Sequence, residues 1–485
     1  MKAVMLGLDG LSPQILTNAL KKAELPNLQR IISNGEVHTL VSIPPVTPIE
    51  WTSIATGMNP AKHGIWGFTK IYMGDGGRLE WRYYQSYDVK QPRIFEITAF
   101  KGLETLCINY PLTWPIKGNW YLEHLDIVGD TLISPRTETN AEFIEKKYLK
   151  YFEPLPDPYK KTVSYIKGLE GIIEEKEYDF VSIVLPFPDQ AFHKNAKEVL
   201  NIGKKSKATW EEIDSLLDII TKKATKVFIV SDHGLGAYRK YVNLLEPVLR
   251  YKWIREVKGN PALLLSAAID FYSYATRMPI RIFQRKYFKE MLYKLSLRKD
   301  IIISAGKGAW RGAEASSVGS GITYDMHDPS DVWIVTFLNE TSRERFLETL
   351  RKDKASKYVD VRKTEEVFKG NHFTDLPSAI VMPKLYNKVY LNFATSLFLI
   401  RYDIISNHHV LGVFILNSPN INKNANKKKA LLNDPLTTYD VTPSILSYLG
   451  LPIPKGTDGR SIGGNTGFYA YDIGIKLRRM RQKFK

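Results

Sequence analysis

A threonine, a proline and a glutamate open the segment Thr47-Pro48-Ile49-Glu50-Trp51. Thr47 fits a helix N-cap, Pro48 the first helical position and Glu50 the third, which is a capping-box pattern. A hydroxyl held there lies in the positive field of the helix end, which favours an alkoxide and any phosphate that approaches it. Taken alone, the segment reads as an ordinary N-cap. Four further segments add what a phosphate-directed hydroxyl needs. Asp9 ends the apolar run Ala3–Leu8, and Asp189 and His193 follow the run Val181–Leu185. Asp232 and His233 close a third run, and His408 and His409 stand just ahead of a fourth. Mixed carboxylate and imidazole sets suit zinc or a related divalent ion, whereas calcium prefers oxygen throughout.

Elements of a particular kind must deliver these residues. Buried runs near 3–8, 105–109, 181–185, 226–231, 378–382 and 412–416 read as strands. Stretches 14–33, 209–222 and 441–448 read as helices. That βα rhythm predicts a mostly parallel sheet with helices on both faces, its ligands collected beyond the carboxyl ends of the strands. Residues from about 250 to 370 interrupt the rhythm. The expected organisation is a catalytic α/β/α core over 1–250 and 371–465, an insertion at 251–370 that caps the site, and a basic tail at 466–485.

These pieces together resemble the alkaline phosphatase superfamily, in its type I phosphodiesterase/nucleotide pyrophosphatase branch. The matching residues are Leu8-Asp9-Gly10, Thr47 with Thr56-Gly57, and Asn59-Pro60 with His63-Gly64-Ile65. Further on they are Asp189 with His193, Ser231-Asp232-His233-Gly234, and His408 with Gly412. The stretch from Tyr439 to Arg460 resembles the family's closing segment. The resemblance implies an alkaline-phosphatase-like fold and two divalent metal ions, Zn²⁺ or alternatively Mn²⁺ or Co²⁺. Asp9, Asp232, His233 and Thr47 would hold one ion, and Asp189, His193 and His408 the other. It implies phosphodiesterase or nucleotide pyrophosphatase activity through a phosphothreonine intermediate on Thr47.

One position departs from the family, where an asparagine is expected three residues after the nucleophile to bind phosphate. Here it is Glu50. A carboxylate facing the substrate would disfavour dianionic monoesters and favour diesters or leaving groups with a cationic head. The aromatic stretch Trp66–Tyr87 offers a pocket lining for a base, sugar or lipid head, or else a loop packed on the core. The competing functions are phosphoryl transfer to an alcohol and metal binding without catalysis at an anionic membrane surface.

Charge is unevenly placed in this chain of 485 residues with a net +17. Residues 277–299 carry eight basic side chains against Glu290, and residues 476–485 carry six with no acid, together 13 of the 17 net charges. Both segments space apolar residues as a helix would, which fits peripheral contact with an anionic membrane or a solvated helix on the core. No nucleic-acid motif accompanies the charge. The expected substrate is a small-molecule or lipid-head phosphoester. Cys107 is the sole cysteine, no long uncharged stretch is present, and the first strand begins at the third residue. The expectation is a cytoplasmic protein without disulfides.

Overall fold

The computed structural model describes residues 1–75, 79–116, 122–132, 134, 136–243, 322–324, 333–337, 339–352, 354–357, 359–383, 388–390, 398–417, 435–464 and 466–471. Both basic segments, at 277–299 and 476–485, lie outside these residues, as does most of the expected insertion.

Eight strands form the central sheet, in the order Leu436–Thr437, Glu36–Val41, Leu411–Asn417, Lys226–Val230, Ala3–Leu8, Phe180–Leu185, Thr105–Tyr110 and Leu125–Gly129. Ala3–Leu8 runs parallel to both neighbours and all six of its residues are buried, as a central strand covered on both faces requires. Leu411–Asn417 runs antiparallel to both of its neighbours. Alternation along the first strand divides the core. Val4, Leu6 and Leu8 face the helices Pro13–Lys22, Pro26–Ser33, Pro158–Glu175 and Lys204–Lys223. Ala3 and Met5 face Thr47–Thr56, Ile94–Phe100 and Val441–Tyr448. The fold is a three-layer α/β/α sandwich.

Three strands of the sheet lie outside the runs expected from sequence, and one expected strand belongs elsewhere. Glu36–Val41, Leu125–Gly129 and Leu436–Thr437 belong to the sheet but carry no strong apolar run, being half-exposed, broken by Asp126, or two residues long. Ser378–Pro383 is a strand, yet it pairs antiparallel with Trp333–Phe337 and Val359–Lys363 in a separate four-stranded sheet. The stretch expected as one helix over 14–33 is two, because Pro26 opens a second helix.

The four-stranded sheet packs beside the start of the helix Thr47–Thr56. Ile380 and Phe368 share an apolar cluster with Val46 and Ile49, which flank Thr47. A third sheet joins Gly234–Asn243 to Phe398–His409 antiparallel, with His408 opposite Leu235 and His409 opposite Gly234. Among the described residues, no helix is long and apolar enough to cross a membrane.

Candidate active site

Three central strands end at the same edge of the sheet and deliver acids there. Asp9 follows Ala3–Leu8, Asp189 opens the helix Asp189–Lys194 after Phe180–Leu185, and Asp232 and His233 follow Lys226–Val230. His408 arrives from Phe398–His409, beside the Gly234 end of its partner strand. The turns between them are tight. Gly10 has φ of 75°, and a Cβ on it would lie 2.7 Å from Leu235 Cδ1 and 3.1 Å from Asp189 Cβ. Glycine is required there by conformation and by space.

Two groups of ligand atoms result, Asp9 with Asp232 and His233, and Asp189 with His193 and His408, each within a span of 4.8 Å. All seven residues expected as metal ligands, Thr47 included, meet at this edge. Thr47 Oγ1 lies 3.2 Å from His233 Nε2. His233 Nε2 also lies 3.2 Å from Asp232 Oδ2 and 3.7 Å from Asp9 Oδ1. In the second group Asp189 Oδ1 is 3.1 Å from His193 Nε2 and 3.4 Å from His408 Nε2, and the two imidazole Nε2 atoms are 3.0 Å apart. The His233 and His408 rings stack with centroids 3.9 Å apart, which joins the groups into one site.

Hydrogen bonds fix how these histidines present themselves. His408 Nδ1 donates to the Pro45 carbonyl over 2.8 Å, and His233 Nδ1 to the Gly234 carbonyl over 3.0 Å. A carbonyl only accepts, so Nδ1 carries a proton in both rings and Nε2 is the atom turned toward the acids, the one that would serve as a metal ligand. His409 instead accepts the Leu411 N–H at its Nδ1, a turn role that leaves the adjacent His408 as the residue reaching the acids.

Burial makes the three carboxyl groups costly without a counter-charge. Burial pushes Asp9 well above the usual carboxylate range, and Asp232 and Asp189 push it further. Burial pushes Asp232 up to about 8, although the Gly10 N–H that it accepts opposes the rise. Burial opposes ionisation of Asp189 too, but His193 and His408 prevail and hold it well below the ordinary range. His233 is held well below its ordinary value by burial and by His408. Asp9 Oδ1, Asp189 Oδ1 and Asp232 Oδ2 are buried without a hydrogen-bond partner. Buried acids grouped with imidazole Nε2 atoms fit divalent cations, and the donor set is oxygen and nitrogen throughout.

The helix that carries Thr47 differs from its sequence expectation in one detail. Val46 takes the N-cap position and Thr47 is the first residue of the helix Thr47–Thr56, because Glu50 N–H bonds the Val46 carbonyl over 2.9 Å. No side-chain cap is formed. Glu50 is fully buried, with one carboxyl oxygen accepting from Thr438 Oγ1, and it has no accessible surface. Sequence reading missed Thr438, and also Ser42, whose hydroxyl donates to the Asp232 carbonyl. Neither carries a local signal, since each meets its partner across the fold. Of the aromatic stretch, Trp66 packs against Phe368 and Phe373 and bonds the His372 carbonyl, while Tyr83 and Tyr87 remain exposed.

Residues 3–287 match the family model for type I phosphodiesterase / nucleotide pyrophosphatase. The chain belongs to that family. Its members' phosphoesterase chemistry agrees with a site built of a hydroxyl and two acid–imidazole groups. The fold is similar to phosphonoacetate hydrolase from Sinorhizobium meliloti 1021 in complex with phosphonoformate, at 16% identity and a TM-score of 0.56, over 91% of this chain and 94% of that one. It is also similar to human ectonucleotide pyrophosphatase / phosphodiesterase 5, at 13% identity and a TM-score of 0.54, over 95% and 97%. The murine counterpart gives 12% identity and a TM-score of 0.52, over 93% and 96%. Comparison with curated proteins gives no match. At these identities the structural likeness shows the alkaline-phosphatase-like fold of a family member.

Proposed function

We propose that this type I phosphodiesterase family member hydrolyses phosphodiesters through a phosphothreonine intermediate on Thr47, with two divalent metal ions, Zn²⁺ foremost. The observation that carries the reading is the Thr47 hydroxyl, at a helix N-terminus and 3.2 Å from His233 Nε2, alongside two groups of buried acids and imidazoles. Asp9, Asp232 and His233, with Thr47, would hold one ion, and Asp189, His193 and His408 the other. Bound ions would lower the pKa of the hydroxyl and stabilise charge on the phosphoryl and leaving oxygens.

The chain's own groups account for the rest. Thr47 Oγ1 gives up its proton to solvent and attacks phosphorus, and the bond to the leaving alkoxide breaks in line; the alkoxide takes a proton from water. Water then attacks the phosphothreonine, which restores the Thr47 hydroxyl and releases the phosphomonoester. The helix end favours the negative charge that develops at Thr47 in the first step and returns to it in the second. Replacement of Thr47 tests the assignment. Thr47→Ala should lower kcat on an aryl phosphodiester by several orders of magnitude and Thr47→Ser should retain part of it, with metal content unchanged for at least one ion. Near wild-type turnover by Thr47→Ala would reduce the hydroxyl to a structural element of the helix end.

A further inference from the structure

Trp51 stands one turn after Thr47 on the nucleophile helix, so the two side chains share a face. That face looks onto the sheet. Trp51 packs in the same apolar cluster as Ala3 and Met5, while Val4, Leu6 and Leu8 pack on the other side. Alternation along the strand puts Gly7 on the Trp51 side and carries Asp9, two residues further, toward the same side. The indole lies directly on Gly7, where a Cβ would stand 2.5 Å from Cη2 and 3.1 Å from Cζ3. Tyr110 holds the tryptophan from another direction, with ring centroids 5.5 Å apart edge to face and its hydroxyl donating to the Trp51 carbonyl over 2.8 Å.

The indole is fully buried, and neither its Nε1–H nor Asp9 Oδ1 makes a full hydrogen bond among the described residues. A buried donor and a buried acceptor therefore stand unsatisfied on one side of the sheet, one belonging to the helix of the hydroxyl and the other to a candidate metal ligand. The indole over Gly7 and the carboxyl two residues further along the same side of the strand are therefore neighbours across that end of the sheet, and burial, which pushes the Asp9 carboxyl up, is opposed there by the indole N–H.

We propose that Trp51 is a positioning residue whose indole N–H orients the Asp9 carboxylate toward the ion shared with Asp232 and His233, and so sets that ligand against the helix of Thr47. The inference rests on the two-metal reading above. Outer partners of this kind hold a ligand's orientation, and their loss typically weakens metal binding tenfold to a hundredfold.

The test is competition between the full-length protein and a chromogenic Zn²⁺ chelator, read as Zn²⁺ bound per chain and needing no turnover. Trp51→Phe keeps an aromatic ring and removes the N–H; it should weaken one of the two ions by about tenfold and leave the other unchanged. Gly7→Ala displaces the indole without altering any donor and should weaken the same ion, and it carries the test alone should Trp51→Phe not fold. Trp210 is a matched control, since its Nε1 is also buried without a partner but it packs on Phe187 across the sheet. Trp210→Phe should leave both affinities in place. Wild-type affinity for both ions in the folded Trp51→Phe protein, or an equal loss in Trp210→Phe, overturns the inference. Failure of the wild type to bind Zn²⁺ at all overturns the two-metal reading and this inference together.

Discussion

Glu50 shows how a charge read from sequence changes its meaning once it is buried. As an ionised group near phosphorus it would repel a dianionic monoester, and this is the basis on which a diester preference follows from sequence. In the fold its carboxyl is closed off from solvent and anchored on Thr438 Oγ1. Burial raises its pKa well above the ordinary value despite that hydrogen bond, with Asp232 adding to the rise. A neutral acid exerts little repulsion, so Glu50→Gln should leave the ratio of diester to monoester kcat/KM within about twofold. A clear gain in monoester turnover would instead restore Glu50 as a charge that the substrate meets. His63 titrates in the opposite sense. Burial holds it down to about 3 from 6.5, with Nδ1 accepting the Ile65 N–H and Nε2 meeting Ser53 Oγ over 3.1 Å. Because the folded pKa is depressed, its contribution is complete above pH 6.5 and is lost as pH falls from 6.5 toward about 3. The loss amounts to at most about 1.4 kcal/mol per pH unit. His63→Gln should therefore flatten the acid limb of a stability–pH curve from chemical denaturation, and an unchanged slope would place the acid sensitivity in other groups.

Elements were legible where a single physical signal dominated. Ala3–Leu8, Phe180–Leu185 and Lys226–Val230 are covered on both faces, so burial wrote continuous apolar runs ending in acids, and these runs exposed both fold and site. Glu36–Val41 is only partly covered and lacks such a run, and Ser378–Pro383 has one but sits in another sheet, because a run reports burial and not partner. Asp9, Asp189, Asp232, His233 and His408 could be read because each lies at a strand end. The supports from Ser42, Thr438 and Trp51 could not, since they depend on contacts between distant segments. The break at Pro26 is local, but what closes the helix end after it comes from a distant segment. Its helix Pro26–Ser33 has no side-chain cap of its own, and the Asp214 carboxylate from Lys204–Lys223 accepts the Asn27 and Leu28 N–H groups over 3.2 and 2.8 Å. Asp214→Ala leaves those donors without an acceptor and should lower unfolding free energy by about 1–3 kcal/mol in urea titration. Diester kcat/KM should not change, since Asp214 touches no residue of the site; a matching loss of activity would mean that this helix helps to position the site.

On the scale of the whole molecule, the site gathers three buried acids that are costly to ionise without a counter-charge, in a chain whose net charge is +17. Asp9, Asp189 and Asp232 have histidines as their ion-pair partners, and Asp9 and Asp232 face a His233 that burial keeps neutral. They stand where three strands of the central sheet end, so strain at the site bears on the sheet that joins the two faces of the core. Ions that bind only the folded state stabilise it by mass action, about 4 kcal/mol for one site at a thousandfold excess over Kd. Exhaustive chelation should therefore lower the melting temperature by several degrees, and Zn²⁺ should restore it in a concentration-dependent way. Thr47→Ala should show much of the same Zn²⁺ stabilisation although it has lost turnover, because the acids and imidazoles supply most of the ligand atoms. Asp232→Asn removes charge from the group that joins Gly10, His233 and Thr47, and should show a clearly smaller response. Differential scanning calorimetry of the three proteins, with chelator and with graded Zn²⁺, makes the comparison. Equal melting temperatures with and without ion in the wild type would mean that the buried acids are accommodated as protonated groups, and the two-metal mechanism would then lose its foundation.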